Sequence, residues 1–484
     1  MDRTGRGTGR RAGPGAGTDR AGRGSAVRLV VLASACGAFF GFSISSMNQS
    51  ISRVGVEMSL SSLHQGLVVS ALIVGAVTGC VVAGLLTDRL GRHRVLVVSG
   101  VLGAAACMLC AVAPDEALLI TGRFLNGVAV GATSAVAPVL LAELAPARSR
   151  GSVITTYQLV LTVGVLAALV LGVFWGPGDQ WRLMFVANAV PALVQAVAAA
   201  CVPQAPGDLL AAGRPKDALA VLRATRDEAE AEVEYERLLA VRDLPSVGVL
   251  RSLADHGTRL PVAIALGAAL MNALVGIGAV VYYSTLVFAA AGVGGSSGAR
   301  IASMSIGVVN VAVSVAALWL VRRYGRRPLL AAGLAGMAGA LCAAAWSLLG
   351  GDGGSVAGYV TVAAVLLYVG CFAFSAGPVA WVLMAEVLPQ EAGARVAGTA
   401  LALNWSANLL VALLFPVIVG TPGVPARVGL VFLFFAVLCL VFLCLLRRFV
   451  PETKDRSLAE VQEELLQRTM ARARRHGLRA GSSQ

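Results

Sequence analysis

The sequence predicts an all-α membrane protein with twelve transmembrane helices, arranged as two pseudo-symmetric halves of six helices each. Of its 484 residues, 57% are hydrophobic and only 13% are charged, which is about half the charged fraction of a soluble domain. A duplication gives the halves: the basic turn around Gly91 recurs at Gly325, and Glu143-Leu-Ala-Pro recurs as Glu386-Val-Leu-Pro. The offsets, 325 − 91 = 234 and 386 − 143 = 243 residues, nearly agree, as expected for two related halves.

Composition also limits the alternatives. A water-soluble protein of this kind would need one very large apolar core, and single cores stop growing near roughly 250–300 residues. The net charge of +13 could indicate nucleic-acid binding. However, the cations cluster in short loops beside apolar segments, as the positive-inside rule expects. We therefore expect the lipid bilayer as partner and no nucleic acid.

Twelve apolar segments each reach the roughly 20 residues that cross about 30 Å of hydrocarbon. A spanning segment must satisfy its backbone internally, so each is predicted to be a helix. The segments are 29–51, 65–87, 94–114, 117–142, 152–175, 182–202, 260–291, 299–321, 328–350, 356–388, 395–421 and 425–446. The predicted domains are a disordered basic tail (1–28), an N-terminal half (29–202), a linker (203–258), a C-terminal half (259–449) and a C-terminal tail (450–484).

The distribution of basic loops predicts the orientation. One side carries the basic residues of segments 88–94, 146–151, 322–327, 391–395 and 447–449, whereas the other side carries few charges. This side should be cytoplasmic and should hold both termini, as an even number of crossings requires. The frequent Ala, Gly, Val and Arg are typical of a bacterial protein, so the predicted location is a bacterial plasma membrane.

The linker carries one charge-rich stretch, residues 217–244, with helical spacing of its apolar residues. This spacing predicts short amphipathic helices beneath the bundle. They act either as a latch between the halves or simply as a solvated connection, and the sequence leaves both open.

Charged residues at the predicted cytoplasmic ends suggest a gate. The first basic turn holds a carboxylate, Asp88, beside guanidinium groups that can form charge-assisted hydrogen bonds to a neighbouring helix. Such pairs would close the halves on that side, although they could equally be topology anchors. Glu143 is expected to pair near Arg150, and Glu386 near the second basic turn. The predicted charge network comprises Asp88, Arg89, Arg92, Glu143, Arg148, Arg150, Arg326, Arg327 and Glu386.

Polar side chains at membrane depth are the candidate solute ligands. Amides offer both donors and acceptors, and an indole adds an apolar face with one N–H. This chemistry suits a neutral polyhydroxylated solute better than an anion, although amides can also serve only to join helices. The candidates are Gln158, Asn272, Asn310, Trp381, Asn404 and Asn408.

No motif indicates an enzyme, a cofactor or a metal. Cys107 and Cys110 form a CxxC, but neither a second CxxC nor a nearby His completes a metal site. The glycine-rich runs lack the Lys-Ser/Thr of a phosphate-binding loop, and the four histidines are scattered.

These features resemble the sugar porters of the major facilitator superfamily over about residues 29–462. The most specific match is Pro451-Glu-Thr-Lys454 after the twelfth segment, which is similar to the family's PETKG-x-SLEE. Further matches are Asp88-Arg-x-Gly-Arg, Gly122-Arg-Phe, Tyr157-Gln-Leu, Tyr282-Tyr283, Asn310, Gly377-Pro-x2-Trp381 and Asn404-Trp405. The resemblance implies that Gln158, Asn310, Trp381, Asn404 and Asn408 line a central sugar site and that Tyr282 and Tyr283 form an outer gate.

Two departures from the family pattern bear on the mechanism. The family's QQLSGIN on the seventh segment is replaced by a stretch in which only Asn272 is an amide. Proton-coupled members carry an Asp on the first segment that pairs with the Arg of the fourth, but this chain has Ser43 there while Arg123 remains. A serine does not ionise at physiological pH, and an arginine stays protonated. Arg123 should therefore bond Ser43 or backbone oxygens, without proton coupling.

The sequence thus predicts a monomeric permease that moves a small neutral polar solute, similar to a sugar or polyol, by alternating access. A proton-coupled efflux pump for a secondary metabolite or drug is the alternative within transport, favoured by the changed seventh segment. A non-transporting nutrient sensor is the alternative from another class.

Overall fold

The computed structural model describes residues 16–48, 50–175, 180–242, 249–255, 258–293, 295–350, 355–388, 393–420, 423–454, 460–461 and 463–467. The elements assigned within these ranges are all helices. Twelve of the described stretches are long and apolar enough to cross a membrane, which confirms the predicted fold class. Residues 1–15 of the predicted N-terminal tail and 468–484 of the C-terminal tail lie outside the described residues.

The N-terminal half and the linker contribute eleven helices. The first seven form the N-terminal half, and α1 begins at Ala16, inside the segment expected to be a tail. Four short helices follow in the linker. Their bounds are α1 Ala16–Ser45, α2 Ile51–Glu57, α3 Ser62–Leu90, α4 Arg92–Ala111, α5 Glu116–Leu144, α6 Ala147–Trp175, α7 Trp181–Ala200, α8 Pro206–Ala211, α9 Pro215–Thr225, α10 Glu228–Arg242 and α11 Val249–Ala254.

The C-terminal half contributes eight helices, because two of its membrane segments are each broken into two. Their bounds are α12 Arg259–Leu274, α13 Ile277–Ala290, α14 Gly295–Arg323, α15 Arg326–Gly350, α16 Ser355–Phe374, α17 Ala376–Val387, α18 Gly393–Val419 and α19 Pro425–Phe449. The pairs α12–α13 and α16–α17 each make up one candidate membrane span.

The first break has a local cause, and at each break a side chain donates a hydrogen bond to a backbone carbonyl. Gly276 separates α12 from α13 with a φ of +97°, a left-handed conformation that glycine adopts without a Cβ clash. The hydroxyl of Tyr368 donates to the carbonyl of Val275 at 3.0 Å. At the second break, the Asn272 amide donates to the carbonyl of Ala376 at 3.0 Å. Irregular backbone is tolerated at membrane depth when neighbouring groups take up its hydrogen bonds.

Glycines allow the N-terminal helices to pack closely. On α3, a Cβ added to Gly75 or Gly79 would strike the backbone of α5, and one added to Gly127 or Gly131 on α5 would strike the backbone of α3. In a membrane, where apolar burial drives helix association only weakly, such close backbone contact supplies much of the packing. This contact fixes α5, which carries Arg123 and Glu143.

The halves meet along two helix pairs, α3 with α18 and α6 with α14. We call the bundle end with the Gly91 and Gly325 turns the basic face, and the other end the opposite face. Gly66, near the opposite-face end of α3, approaches Pro416 of α18. Gly307 of α14 approaches Leu166 of α6 near mid-depth.

The linker is tied to the N-terminal half. The buried guanidinium of Arg226, between α9 and α10, donates from Nη2 to the carbonyls of Glu143 at 2.6 Å and Ala145 at 3.0 Å. These carbonyls lie at the C-terminus of α5, where a cation is favourable. Arg150 of α6 also lies 3.5 Å from Glu234 of α10. These contacts attach α9 and α10 to the N-terminal half, whereas α11 packs against α12 and α18 of the C-terminal half.

Candidate solute site, gates and charge networks

Three of the predicted ligands are half buried and unpaired. Gln158 lies near the middle of α6, Asn310 near the middle of α14, and Trp381 on α17. Their side-chain polar groups make no hydrogen bond to any residue that the structure describes. A polar group inside a membrane protein is costly unless it meets water, a partner or a ligand. The three side chains are therefore available to a solute or to water.

Three other predicted ligands form a chain that joins helices. The Nδ2 of Asn404 donates to the carbonyl of Ala269 at 2.9 Å and to Oδ1 of Asn272 at 3.2 Å. The Nδ2 of Asn408 donates to the carbonyl and Oδ1 of Asn404, at 3.0 and 3.3 Å. Asn272 itself reaches the break before α17. Both amide hydrogens of Asn404 and of Asn408 are thus used within the protein, which leaves these residues mainly acceptors for a solute.

One donor beside this chain was not singled out as a ligand from the sequence. The indole of Trp405 on α18 is 4% exposed, and its Nε1 is buried without a hydrogen-bond partner among the described residues. Its ring lies 5.6 Å from the ring of Phe40 on α1, across the interface between the halves. An unpaired buried N–H at this interface suits a solute hydroxyl.

The predicted outer gate lies at a kink in α13. Tyr283 has φ −131° and ψ 21°, outside the helical range. Its hydroxyl donates to the carbonyl of Ala412 on α18 at 2.7 Å, and its ring stacks on Phe415 with centroids 5.3 Å apart. Tyr282 is buried beside it. Tyr283 therefore packs against α18 of its own half in this conformation.

A polar contact between the halves on the opposite face is made by Asn48, which follows α1. Its Nδ2 donates to the Ser284 hydroxyl at 2.7 Å and to the Val281 carbonyl at 2.9 Å. The Thr285 hydroxyl donates to the carbonyl of Asn48 at 2.9 Å and to its Oδ1 at 3.1 Å. Sequence reasoning missed Asn48, since a lone Asn near a helix end is common in turns. The opposite face is closed in this conformation.

On the basic face, the first network surrounds the N-terminus of α4. Arg92 donates from Nη1 to Oε1 of Glu143 at 2.7 Å and lies 3.1 Å from Oδ1 of Asp208. Asp208 also accepts from the backbone N–H of Arg92 at 2.6 Å. An acidic group is favourable at a helix N-terminus. Glu143 is thus paired with Arg92 in the described structure, whereas Arg150 pairs with Glu234.

The C-terminal half repeats this network around α15. Arg326 donates from Nη2 to Oε1 of Glu386 at 2.8 Å. Glu452 accepts from the backbone N–H groups of Arg326 at 2.9 Å and Arg327 at 3.2 Å. Thr453 donates to Oε2 of Glu386 at 2.6 Å. The Pro451-Glu-Thr-Lys454 motif therefore acts as the cap and brace of this network.

The two networks show which residues the sequence could have revealed. Asp208 and Glu452 hold equivalent places, and their separation is close to that of Glu143 and Glu386, so a third duplicated pair was readable. The pairs just described each join residues of one half, or of one half and the linker. The side chains of Asp88 and Arg148 lie outside the described residues, so their predicted gate roles stay predictions.

Arg123 occupies the predicted coupling position on α5 and is 2% exposed. Its Nη1 donates to the backbone carbonyl of Ser43 at 3.3 Å and to the Ser46 hydroxyl at 3.4 Å, and its Nε to the carbonyl of Val68 at 3.5 Å. The Ser43 hydroxyl accepts from Nδ2 of Asn188 on α7 at 2.8 Å. Arg123 is therefore held by neutral oxygens.

The comparisons with known proteins agree with this architecture. A family model described as "Sugar (and other) transporter" matches residues 29–465. The chain belongs to this family. A probable metabolite transport protein of Bacillus subtilis, CsbC, is 32% identical over 436 residues, covering 89% of this chain and 93% of CsbC. The glucose transporter GlcP of Staphylococcus epidermidis is 31% identical and covers 92% of this chain and 98% of its own.

Among solved structures, the proton:xylose symporter XylE bound to 6-bromo-6-deoxy-D-glucose superposes with a TM-score of 0.75. It is 24% identical, and the match covers 92% of this chain and 100% of XylE. This similarity shows the major facilitator fold. The protein is therefore a multi-pass membrane transporter of the sugar (and other) transporter family. Its relatives are transporters rather than enzymes.

Proposed function

We propose that the protein moves a small, neutral, polar solute of the sugar or polyol type across the membrane by alternating access. The observation that carries this proposal is a set of polar groups that bond to no described residue: those of the half-buried Gln158, Asn310 and Trp381, together with the buried Trp405 indole N–H. Amide and indole groups match hydroxyls in both donor and acceptor capacity. GlcP is a glucose transporter and XylE a xylose symporter, which supports the same substrate class here.

The arrangement of contacts between the halves supports alternating access. The opposite face is sealed by Asn48 and the α13 residues around Ser284. On the basic face, the described Arg–Glu ion pairs each join residues of the same half. Two rigid halves that are joined by few polar contacts at one end can rock about a central site. We further propose that the basic face is cytoplasmic, as are both termini, and that a single copy suffices for transport.

The test is counterflow of radiolabelled solutes into liposomes that contain the purified protein. We expect uptake of a hexose, a pentose or a cyclic polyol, with Gln158→Ala lowering its apparent affinity. Thr156→Ala is the control on the same helix, because its hydroxyl bonds only to the carbonyl of Ser152 on α6. Movement of none of these solutes would contradict the proposal in favour of a sensor. Competition by apolar drugs alone would favour the efflux alternative.

We also infer that transport is not coupled to protons. Coupling requires a group that titrates as the protein changes conformation, and Ser43 cannot supply one at the position that faces Arg123. XylE, which is described as a proton symporter, is only 24% identical, so its coupling does not transfer to this chain.

An imposed pH gradient tests the coupling. We expect the same final solute level in proteoliposomes with and without the gradient. Accumulation above the outside concentration, abolished by a protonophore, would contradict the inference. A Ser43→Asp variant should acquire a pH-dependent transport rate, because it places a carboxylate beside Arg123.

A further inference from the structure

Arg123 is a buried cation without a neutralising anion in the described structure. The titratable groups that surround it are the thiols of Cys110 and Cys107 and the phenols of Tyr282 and Tyr283. None of these is a carboxylate. Desolvation makes a buried guanidinium with only neutral partners unfavourable, and a counter-charge would offset that cost. The protein therefore gains if an anion joins Arg123.

One nitrogen of the guanidinium, Nη2, has no hydrogen-bond partner among the described residues. Nε and Nη1 donate to oxygens of Val68, Ser43 and Ser46, whereas Nη2 makes no hydrogen bond to any residue that the structure describes. Arginine presents five N–H donors in a fixed plane. Two of these donors remain for a group that the protein does not supply.

Two buried amides next to Arg123 are also incompletely paired. Asn126 lies one turn along α5 and is 2% exposed, and Asn188 on α7 is 1% exposed. Both donate from Nδ2 to the sulfur of Cys107, at 3.0 and 3.3 Å, and the Oδ1 of each is buried without a partner. Buried polar atoms without partners mark a site for a missing ligand or water.

The amides can present donors as well as acceptors to that ligand. Exchanging the oxygen and nitrogen of Asn188 keeps its contacts with Ser43 and Cys107, since a hydroxyl and a thiol can each donate as well as accept. The exchange leaves an N–H at the position that otherwise holds the unpaired oxygen. Arg123, which bonds to the Ser43 carbonyl, and Asn188, which bonds to the Ser43 hydroxyl, then both offer N–H groups near Ser43.

We propose that this pocket binds a chloride ion, which serves as the counter-ion of Arg123. A monatomic anion needs only N–H and O–H donors, and they can approach it from any direction. The enclosing residues Ser43, Ser46, Asn126 and Asn188 are all buried, so larger organic anions are excluded. The ion is a fixed part of the N-terminal half and is independent of which solute is transported.

The experiment measures thermal unfolding of the purified, solute-free protein while chloride replaces gluconate at constant sodium and ionic strength. We expect the unfolding midpoint of the wild type to rise saturably with chloride, and bromide to substitute for it, since a ligand that binds only the folded state stabilises that state. Ser43→Asp should unfold at the same temperature at every chloride concentration, because its carboxylate takes the place of the ion.

Arg182→Gln is the matched control, because it removes an arginine from the opposite face and should keep the chloride response. A bromide-soaked crystal should show an anomalous peak beside Arg123. An unchanged midpoint in the wild type would overturn the proposal, as would an equal response in Ser43→Asp. Ultraviolet thiolate absorbance that disappears in Cys107→Ser would also overturn it, since the protein would then supply its own counter-ion.

Discussion

The amide of Asn48 and the hydroxyl of Ser284, 236 residues apart in the chain, lie 2.7 Å from one another and join the two halves. Both side chains are almost fully buried. The same amide donates to the Val281 carbonyl, and Thr285 donates back to Asn48. The described hydrogen bonds that join the halves at the opposite face therefore centre on Asn48.

Replacing Asn48 with Ala should favour opening of the opposite face. The variant loses the side-chain bonds to Val281 and Ser284, each worth on the order of 1 kcal/mol. The equilibrium between the two open states should shift by about 1–3 kcal/mol. Spin labels at residues 56 and 424, in a background without native cysteines, would report the opening. It would appear as a population with a longer distance between the labels.

Ser50→Ala is the control for that experiment, because its hydroxyl bonds to the Ser46 carbonyl within the same half. Its distance distribution should match that of the parent protein. If Asn48→Ala gives the same distribution as Ser50→Ala, the cluster does not hold the face closed.

The two classes of amide should separate in a comparison of binding and stability. Gln158→Ala and Asn310→Ala should weaken solute binding by about 1–3 kcal/mol while leaving the unfolding temperature nearly unchanged, since neither side chain bonds to a described residue. Asn404→Ala removes its bonds to Ala269 and Asn272. It should lower stability by about 1–2 kcal/mol. Calorimetric titration and thermal unfolding of each variant check both effects.

The opposite pattern would reassign the amides. Unchanged affinity in both Gln158→Ala and Asn310→Ala, with an intact fold, would remove these residues from the solute site. A stable Asn404→Ala variant that no longer binds solute would make Asn404 a ligand rather than a brace.

Much of the fold was readable from the sequence because the bilayer constrains it so strongly. Segment length and apolarity predicted the twelve membrane spans, and the repeated Gly91 and Gly325 turns predicted the two halves. Contacts between elements distant in the chain were less readable. The partner of Glu143 is Arg92 rather than the nearer Arg150, since helix packing rather than sequence distance sets ion pairs. The division of the amides into paired and unpaired likewise depends on side-chain directions that no spacing rule gives.

The ion pair between Arg326 and Glu386 should be coupled energetically. Arg326→Gln and Glu386→Gln should each destabilise the protein, because each leaves a partly buried charge without its partner. The double variant should be more stable than the sum of the single effects predicts, by about 1–2 kcal/mol. Chemical or thermal unfolding of the four proteins gives the coupling directly. Strict additivity would show that the contact contributes no interaction energy.

The repeated architecture offers an internal comparison for that cycle. Arg92 and Glu143 should give a coupling of similar size, since their separation of 2.7 Å is close to the 2.8 Å of Arg326 and Glu386. Transport rates of the same variants test the predicted gate role. If variants that lose the coupling energy still transport at the parent rate, both networks have only a structural role.

The last prediction concerns acid stability and rests on Glu57 at the opposite face. Its carboxylate accepts from the Trp181 indole N–H at 2.6 Å and from Arg182 at 2.8 Å. The Trp181 hydrogen bond, with Arg182 as a further cause, lowers the pKa of Glu57 below its ordinary value of 4.5. A carboxyl whose pKa is lower in the folded than in the unfolded state stabilises the fold above the unfolded pKa. That contribution is lost as the pH falls through the folded pKa.

Because the Glu57 side chain is 39% exposed, solvent screening keeps the contribution below about 1 kcal/mol. Unfolding temperatures of the wild type and Glu57→Gln should therefore differ near pH 7, and the difference should shrink as the pH falls below 4.5 and through the lowered pKa of Glu57. Trp181→Phe keeps an aromatic ring but removes the indole N–H, and it should lose most of the same pH-dependent difference. A Glu57→Gln variant whose difference from the wild type stays constant over this range would show that the carboxylate charge does not stabilise this face.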